Sequence, residues 1–129
     1  MTLTRQQIFD KALEVARGQN EPCVDERGWN LFHHRKLRSF AGSWIPIDIA
    51  LDEDINGMAV SDCVRAFPEI FDIEDEEFIY QLELIHDDFE TEEWENQLHN
   101  FAKIYDLVYE PKENIKWERK QSQTHSRAS

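Results

Sequence analysis

Two groups of side chains in the sequence have spacings that could hold a metal ion. Residues 52–57, Asp-Glu-Asp-Ile-Asn-Gly, match the first half of a calcium-binding loop, with oxygen ligands at positions 1, 3 and 5 and Gly at position 6 for the bend. The twelfth position, which requires a bidentate Glu, is Cys63, and no strong helix precedes the loop. We therefore interpret the segment as an acidic turn that ends at Gly57.

The second group has the spacing of carboxylate-bridged metal centres in helical bundles. Glu83 and His86 form a Glu-x-x-His motif. Such a centre needs a second copy of the motif, and the nearest candidate, Glu95 with His99, is spaced by four residues instead of three. We expect no bound metal and no cofactor.

Nucleophilic catalysis would require Cys23, Cys63 or a serine beside a general base. The sequence contains no Gly-x-Ser-x-Gly turn, and its four glycines are too scattered to form a phosphate-binding loop. Paired carboxylates carry little information in a chain with 27 acidic residues, because close pairs arise by chance. We expect no catalytic residues, and we expect both cysteines to be buried as small apolar side chains.

The acidic residues are concentrated in one part of the chain. The 129 residues carry a formal net charge of −13, and residues 51–100 combine 17 acidic residues with a single base, Arg65. Solubility alone is one explanation. The other is a surface that repels nucleic acid and attracts basic proteins.

The sequence lacks membrane signals. No apolar run reaches the roughly 18 residues that a membrane helix needs. Residues 1–7 lack the apolar core of a signal peptide. We expect a cytoplasmic protein that contacts neither a membrane nor nucleic acid directly.

Hydrophobic periodicity predicts a mainly helical α+β domain over residues 1–111 and a basic, disordered tail over 112–129. Thr4 and Gln7 have the spacing of a capping box, so the first helix is expected over residues 5–17. The fold class is therefore a helical domain with a small β-hairpin after the first helix and an antiparallel helix hairpin at its C-terminal end.

The segment after the first helix has more turn signals than periodic ones. Residues 23–39 are predicted to form the small β-hairpin. Residues 40–45 are predicted to form a short helix or turn that ends at a proline. Ser61 is expected to cap another short helix.

The helix hairpin is predicted from two apolar stripes with the same spacing. Its first helix begins at Asp72 or Glu74 and its second helix begins at Thr91, which serves as the cap. The stripes consist of Phe78, Leu82, Ile85 and Phe89 in the first helix and of Trp94, Leu98, Phe101 and Tyr105 in the second.

The side of the first of these helices that lies opposite its stripe is predicted to bind a partner. At about 100° per residue, this side combines a tyrosine and a leucine with carboxylates. Apolar anchors ringed by charge are typical of protein interfaces. The alternative is that the tail or the β-hairpin covers them. We call this set the acidic helix face; it consists of Glu76, Glu77, Tyr80, Glu83, Leu84, Asp87 and Asp88.

A series of short segments carries a family resemblance. In chain order they are Ile8-Phe9-Asp10-Lys11, Ile45-Pro46-Ile47-Asp48, Glu53 to Gly57 with Val60-Ser61, Leu84-Ile85-His86-Asp87-Asp88, and Trp94-Glu95. Together they resemble a family of small, largely uncharacterised phage and prophage proteins, over about residues 6–107. The chain departs from the family pattern at His33 to Ser39, where a Gly-rich turn and a following Cys are usual. The resemblance implies a mobile-element origin and supplies no catalytic residues.

Small acidic phage proteins commonly block the nucleic-acid-binding machinery of the host by occupying its basic surface. The resemblance therefore implies a stoichiometric inhibitor of the anti-CRISPR or anti-restriction kind, acting in the host cytoplasm on a protein with a basic surface. An immunity protein that neutralises a bacterial toxin is an alternative, because it needs the same acidic surface. A small hydrolase or a metal-dependent enzyme is the third hypothesis.

Overall fold

In the computed structural model, which describes residues 2–50 and 55–111, the chain begins with helix α1, Arg5–Gly18. The predicted capping box is confirmed. The Thr4 hydroxyl accepts the backbone N–H of Gln7 at 3.1 Å, and the Gln7 side chain accepts the backbone N–H of Thr4 at 2.8 Å. These bonds satisfy two of the free N–H groups at the start of the helix. The buried residues of α1 are Ile8, Phe9, Ala12, Leu13 and Val15.

The predicted β-hairpin is confirmed, although each strand has only two residues. Strand β1, His33–His34, pairs antiparallel with β2, Leu37–Arg38, and His33 lies opposite Arg38. Asn56 anchors β1 from outside the hairpin. Its Oδ1 accepts the N–H of Phe32 at 2.7 Å and that of His33 at 3.1 Å, and its Nδ2 donates to the His33 carbonyl at 2.8 Å.

Three short helical segments connect the hairpin to the C-terminal half of the domain. A 3-10 helix spans Gly42–Trp44, and helix α2 spans Ile47–Ala50. Helix α3, Val60–Ala66, has Ala59 as its N-cap and no side-chain cap. The prediction that Ser61 caps this helix is therefore wrong, because Ser61 already lies inside the first turn.

The last two helices form the predicted antiparallel pair. Helix α4, Glu76–Asp88, and helix α5, Thr91–Tyr105, pack against each other and are joined by two residues. A 3-10 turn, Ile73–Asp75, leads into α4. The N-cap of α5 is Glu90, which caps without a side-chain hydrogen bond, so the predicted cap at Thr91 is wrong.

The apolar sides of α1, α4 and α5 meet in one core, which confirms the mainly helical α+β fold class. Phe101 of α5 joins all three helices, because its ring centroid lies 6.2 Å from that of Phe9 and 5.1 Å from that of Phe78. The stripe of α4 is wrong at Phe89, which lies beyond the helix in extended backbone and is 38% exposed. In the described ranges, no helix has the length and apolar character needed to cross a bilayer.

Residues 107–111, which we call the C-terminal strap, return to α1 after α5 ends. The Gln6 side chain donates to the Val108 carbonyl at 3.0 Å and accepts the Val108 N–H at 2.9 Å. Arg17 donates to the Glu110 carbonyl at 2.8 Å. The strap therefore lies along α1 and is hydrogen-bonded to both ends of that helix. The predicted tail lies outside the described residues.

Candidate functional site

The exposed side of α4 carries most of the acidic helix face. Tyr80 is 44% exposed, and Glu77 and Asp88 are exposed with it. The half-buried members are Glu76, Leu84 and Asp87. The prediction that Glu83 lies on the exposed side is wrong, because Glu83 is only 4% exposed. A role for the other members in binding stays a prediction.

Glu83 is buried because the apolar side of α4 is centred away from the predicted stripe. Ile79 and His86, neither of which belongs to that stripe, are each only 1% exposed. At about 100° per residue, both lie between Leu82 and Glu83 around the helix, so they turn the buried side toward Glu83. The i, i+3, i+7 spacing of Ile79, Leu82 and His86 was the sequence signal that could have revealed this.

The buried carboxylate of Glu83 holds the segment that follows the β-hairpin. Its Oε1 accepts the backbone N–H of Ala41 at 2.8 Å, and the Ser39 hydroxyl also hydrogen-bonds this carboxylate. Desolvation by burial raises the pKa of Glu83, and the hydrogen bonds from Ala41 and Ser39 oppose part of that rise. The carboxylate therefore has a structural use, because it anchors the buried Ala41 N–H and the Ser39 hydroxyl.

His86 holds a second loop in the same way. Its Nε2 accepts the backbone N–H of Cys23 at 2.9 Å, so the ring proton of the neutral imidazole lies on Nδ1. Nδ1 is 2.7 Å from Asp87 Oδ1, to which it donates. The ring packs between Trp94, at 5.4 Å between centroids, and Phe40, also at 5.4 Å. This histidine is therefore fixed by partners on every side.

The cysteines near this cluster are poor nucleophiles. Cys23 and Cys63 are both fully buried, as predicted, and neither forms a disulfide. Burial, followed by the charge of Glu83, raises the pKa of each thiol to about 12, so both are protonated at neutral pH. The Nε2 lone pair of His86 already accepts a backbone N–H and so does not accept a thiol proton. The arrangement does not support nucleophilic catalysis.

Three possible metal ligands meet on α4, but both ring nitrogens of the histidine among them are already engaged. Glu83, His86 and Asp87 place possible ligand atoms within 4.8 Å of one another. Coordination needs a free nitrogen lone pair, whereas Nε2 of His86 accepts an N–H and Nδ1 carries the proton. The second half of the suspected motif is also engaged, since Glu95 accepts from Arg17 at 2.6 Å. The cluster is better suited to packing than to coordination.

The acidic turn is described only at residues 55–57, and residues 52–54 lie outside the described part. Asn56 Oδ1, a ligand in the calcium interpretation, already accepts two backbone N–H groups. Gly57 has a φ of +92°, a conformation that favours glycine. The described end of the segment therefore forms a turn, and the side chain of Asn56 in this turn anchors β1.

The buried Glu83 predicts that stability changes with pH. Because its pKa is raised on folding from the ordinary value of 4.5, the folded chain keeps this proton at pH values where the unfolded chain has lost it. Stability is therefore present below the unfolded pKa and is lost as pH rises through the folded pKa. Glu83→Gln keeps an oxygen for the Ala41 N–H and removes the ionisable group. We expect it to raise the free energy of unfolding by about 1 kcal/mol or more at about pH 8, and to change it little at about pH 4.

Urea denaturation at these two pH values measures the effect. Glu77→Gln is the matched control, because it removes an equal charge from an exposed position on the same helix. Its effect should be small at both pH values. A loss of stability in Glu83→Gln at the higher pH would contradict the prediction, since it would mean that the ionised carboxylate stabilises the fold.

A groove borders the acidic helix face. It lies between α4 and two loop segments, residues 30–32 and residues 57–60, and has a volume of about 260 Å³. Tyr80, Glu83 and Asp87 line it at intervals of about one helical turn. Neither loop segment is predictable as part of the site from the sequence, because only the fold brings them beside α4.

Comparison with known proteins identifies no relative, since no protein-family model, curated protein or solved structure matches the chain.

Proposed function

We propose that the chain acts as a stoichiometric inhibitor, which binds a basic surface on a nucleic-acid-binding host protein through the acidic helix face. The observation that carries this proposal is the exposed side of α4. There Tyr80, 44% exposed, shares the exposed side of the helix with the carboxylates of Glu77 and Asp88. An exposed aromatic ring between charges can serve as an anchor at the centre of an interface, with the charges at its rim.

The charge distribution supports a basic partner. Residues 51–100 carry 17 acidic residues and one base, Arg65. Arg65 is itself engaged, because it donates to Glu76 at 3.4 Å. The field outside α4 is therefore negative, and it steers basic proteins toward this side while it repels nucleic acid.

The buried thiols and the fully engaged His86 favour binding over catalysis, because the described residues provide no activated nucleophile. The resemblance to small phage proteins is what favours a host defence protein, of the CRISPR or restriction kind, as the target. Affinity capture from host cells, followed by identification of one partner that binds in a one-to-one ratio, is the first experiment.

The kinetics of binding to that partner test the surface. We expect the association rate to fall steeply as salt increases, because long-range attraction steers the encounter. Tyr80→Ala and Leu84→Ala should each speed dissociation and weaken binding by about 2 kcal/mol or more if these side chains are hot spots. Their melting temperatures should change little, because neither side chain is buried in the core. Surface plasmon resonance at two salt concentrations measures both rates.

Ile104→Ala is the matched control, because it removes an exposed apolar side chain from α5, outside the acidic helix face. It should leave both rates unchanged. Binding that is insensitive to salt, with unchanged dissociation of the Tyr80 and Leu84 variants, would reject the proposal. The interface would then lie elsewhere, and residues 33–44 would be tested next.

A further inference from the structure

The groove beside α4 combines apolar walls with carboxylates. Its apolar lining comes from Leu31 and Phe32 on one side and from Met58 and Val60 on the other. The residues that line it include two acids, Glu83 and Asp87, and no base. A site of this composition favours a ligand that is apolar along most of its length and positively charged at one end.

Asp87 is the carboxylate of the groove that can receive such a charge. Its side chain is 20% exposed, and one of its oxygens, Oδ1, accepts the proton of His86 Nδ1 at 2.7 Å. No hydrogen bond from a described residue occupies Oδ2. Glu83, in contrast, is buried and already bonded to Ala41 and Ser39. Asp87 therefore lines the groove with one carboxylate oxygen that is not engaged by a described residue, and the bond of the other oxygen to His86 orients the carboxylate.

The dimensions of the groove indicate a single side chain. Its volume of about 260 Å³ is below the range of roughly 300 to 1,000 Å³ that is usual for sites that enclose a whole small molecule. Tyr80 and Asp87 are separated by about 10 Å along α4, since each residue contributes about 1.5 Å. That length accommodates an extended side chain with its charged end at Asp87 and its stem beside the Tyr80 ring.

We infer that the groove binds an arginine side chain of the protein partner, with the guanidinium on Asp87 Oδ2 and the methylene stem against Met58, Val60 and the Tyr80 ring. Arginine fits better than lysine because its guanidinium is planar, more weakly hydrated and suited to aromatic and carboxylate surfaces at once. The inference rests on the proposed function, since it names the partner residue that the acidic helix face receives. It also explains why Tyr80 lies at the edge of a groove and not on a flat surface.

A small probe tests the groove without the partner. N-acetyl-arginine methylamide is titrated into the ¹⁵N-labelled full chain, and amide shifts are followed by NMR. We expect saturable shifts at residues 30–32, 57–60 and 80–87. The citrulline analogue, which is uncharged and nearly the same shape, should bind at least about tenfold more weakly, because a charged hydrogen bond is lost. The lysine analogue carries the same positive charge on a different head group, and it should also bind more weakly.

Two variants locate the contact. Asp87→Asn should weaken arginine binding about tenfold. Tyr80→Leu should weaken it several-fold, and it keeps Asp87 and its bond to His86, so it decides the matter if Asp87→Asn fails to fold. Glu69→Gln is the matched control, because it removes an equal charge from an exposed turn outside the groove and should not alter binding.

Equal binding of the citrulline or lysine analogue, shifts at other residues, or wild-type affinity in Tyr80→Leu would overturn the inference. Its failure is distinct from failure of the proposed function. A partner that binds in a salt-dependent manner while the probe ignores the groove leaves the function standing and removes the arginine site. If the probe binds in the groove but no basic partner exists, the arginine site stands and the proposed function fails.

Discussion

Replacing Phe101 with alanine is expected to lower the free energy of unfolding by about 3 to 5 kcal/mol. The ring is 5% exposed and contacts three other aromatic rings. These are Phe9 on α1, Phe78 on α4 and Tyr105, which lies one turn further along α5 itself. Alanine would leave a cavity at the point where the helices meet, and the surrounding rings are too rigid to close it. Urea denaturation followed by circular dichroism measures the loss.

Ile104→Ala is the control for Phe101→Ala. It lies three residues further along α5, and its side chain is 76% exposed. We expect its effect to stay within about 0.5 kcal/mol, as is usual for surface substitutions. Similar losses in both variants would mean that the helix itself, and not the aromatic contacts, determines stability at this end of α5.

The second large effect is expected at Gly42. A Cβ atom on this residue would lie 2.5 Å from the carbonyl oxygen of Phe32 and 2.8 Å from its Cα. These atoms belong to the backbone, so a side-chain rotation does not relieve the contact. Gly42→Ala must separate the 3-10 helix from the start of β1, and we expect it to cost about 3 kcal/mol or more. Thermal unfolding of the variant measures the cost.

Gly18→Ala is the matched control, because a Cβ at Gly18 would meet no atom within 4 Å and the residue lies in the last turn of α1. Alanine has the higher helix propensity, so this variant should be unchanged or more stable by about 0.5 to 1 kcal/mol. Wild-type stability in Gly42→Ala would show that the two segments separate easily, and it would contradict the close approach.

Features with local causes were predictable from the sequence. The start of α1 depends on Thr4 and Gln7, which are three residues apart, and the helix hairpin depends on stripes within single helices. The interior of α4 was harder, because its stripe was assigned from large apolar residues only. A stripe that omits Ile79 and His86 misplaces the buried side of the helix, and it therefore predicts that Glu83 faces solvent.

Features with distant causes were not predictable. The β-hairpin has two residues per strand and depends on Asn56, which reaches it from 23 residues away in the chain. The groove needs α4 and two loop segments together, and no pattern within any one of them indicates the others. The exposed part of the acidic helix face was within reach of the sequence, because it follows from helical geometry alone. The groove beside it was not.

The C-terminal strap has a consequence for how the chain is made. Gln6 bonds to Val108 across a separation of 102 residues, and Arg17 bonds to Glu110 across 93. Ribosomes deliver the N-terminus first, so α1 is synthesised long before the residues that complete its surroundings. Until the strap emerges from the exit tunnel, the apolar side of α1 lacks part of its cover. The domain is therefore expected to close only after residues 107–111 have emerged, and a nascent chain stalled before residue 107 should remain sensitive to protease along α1.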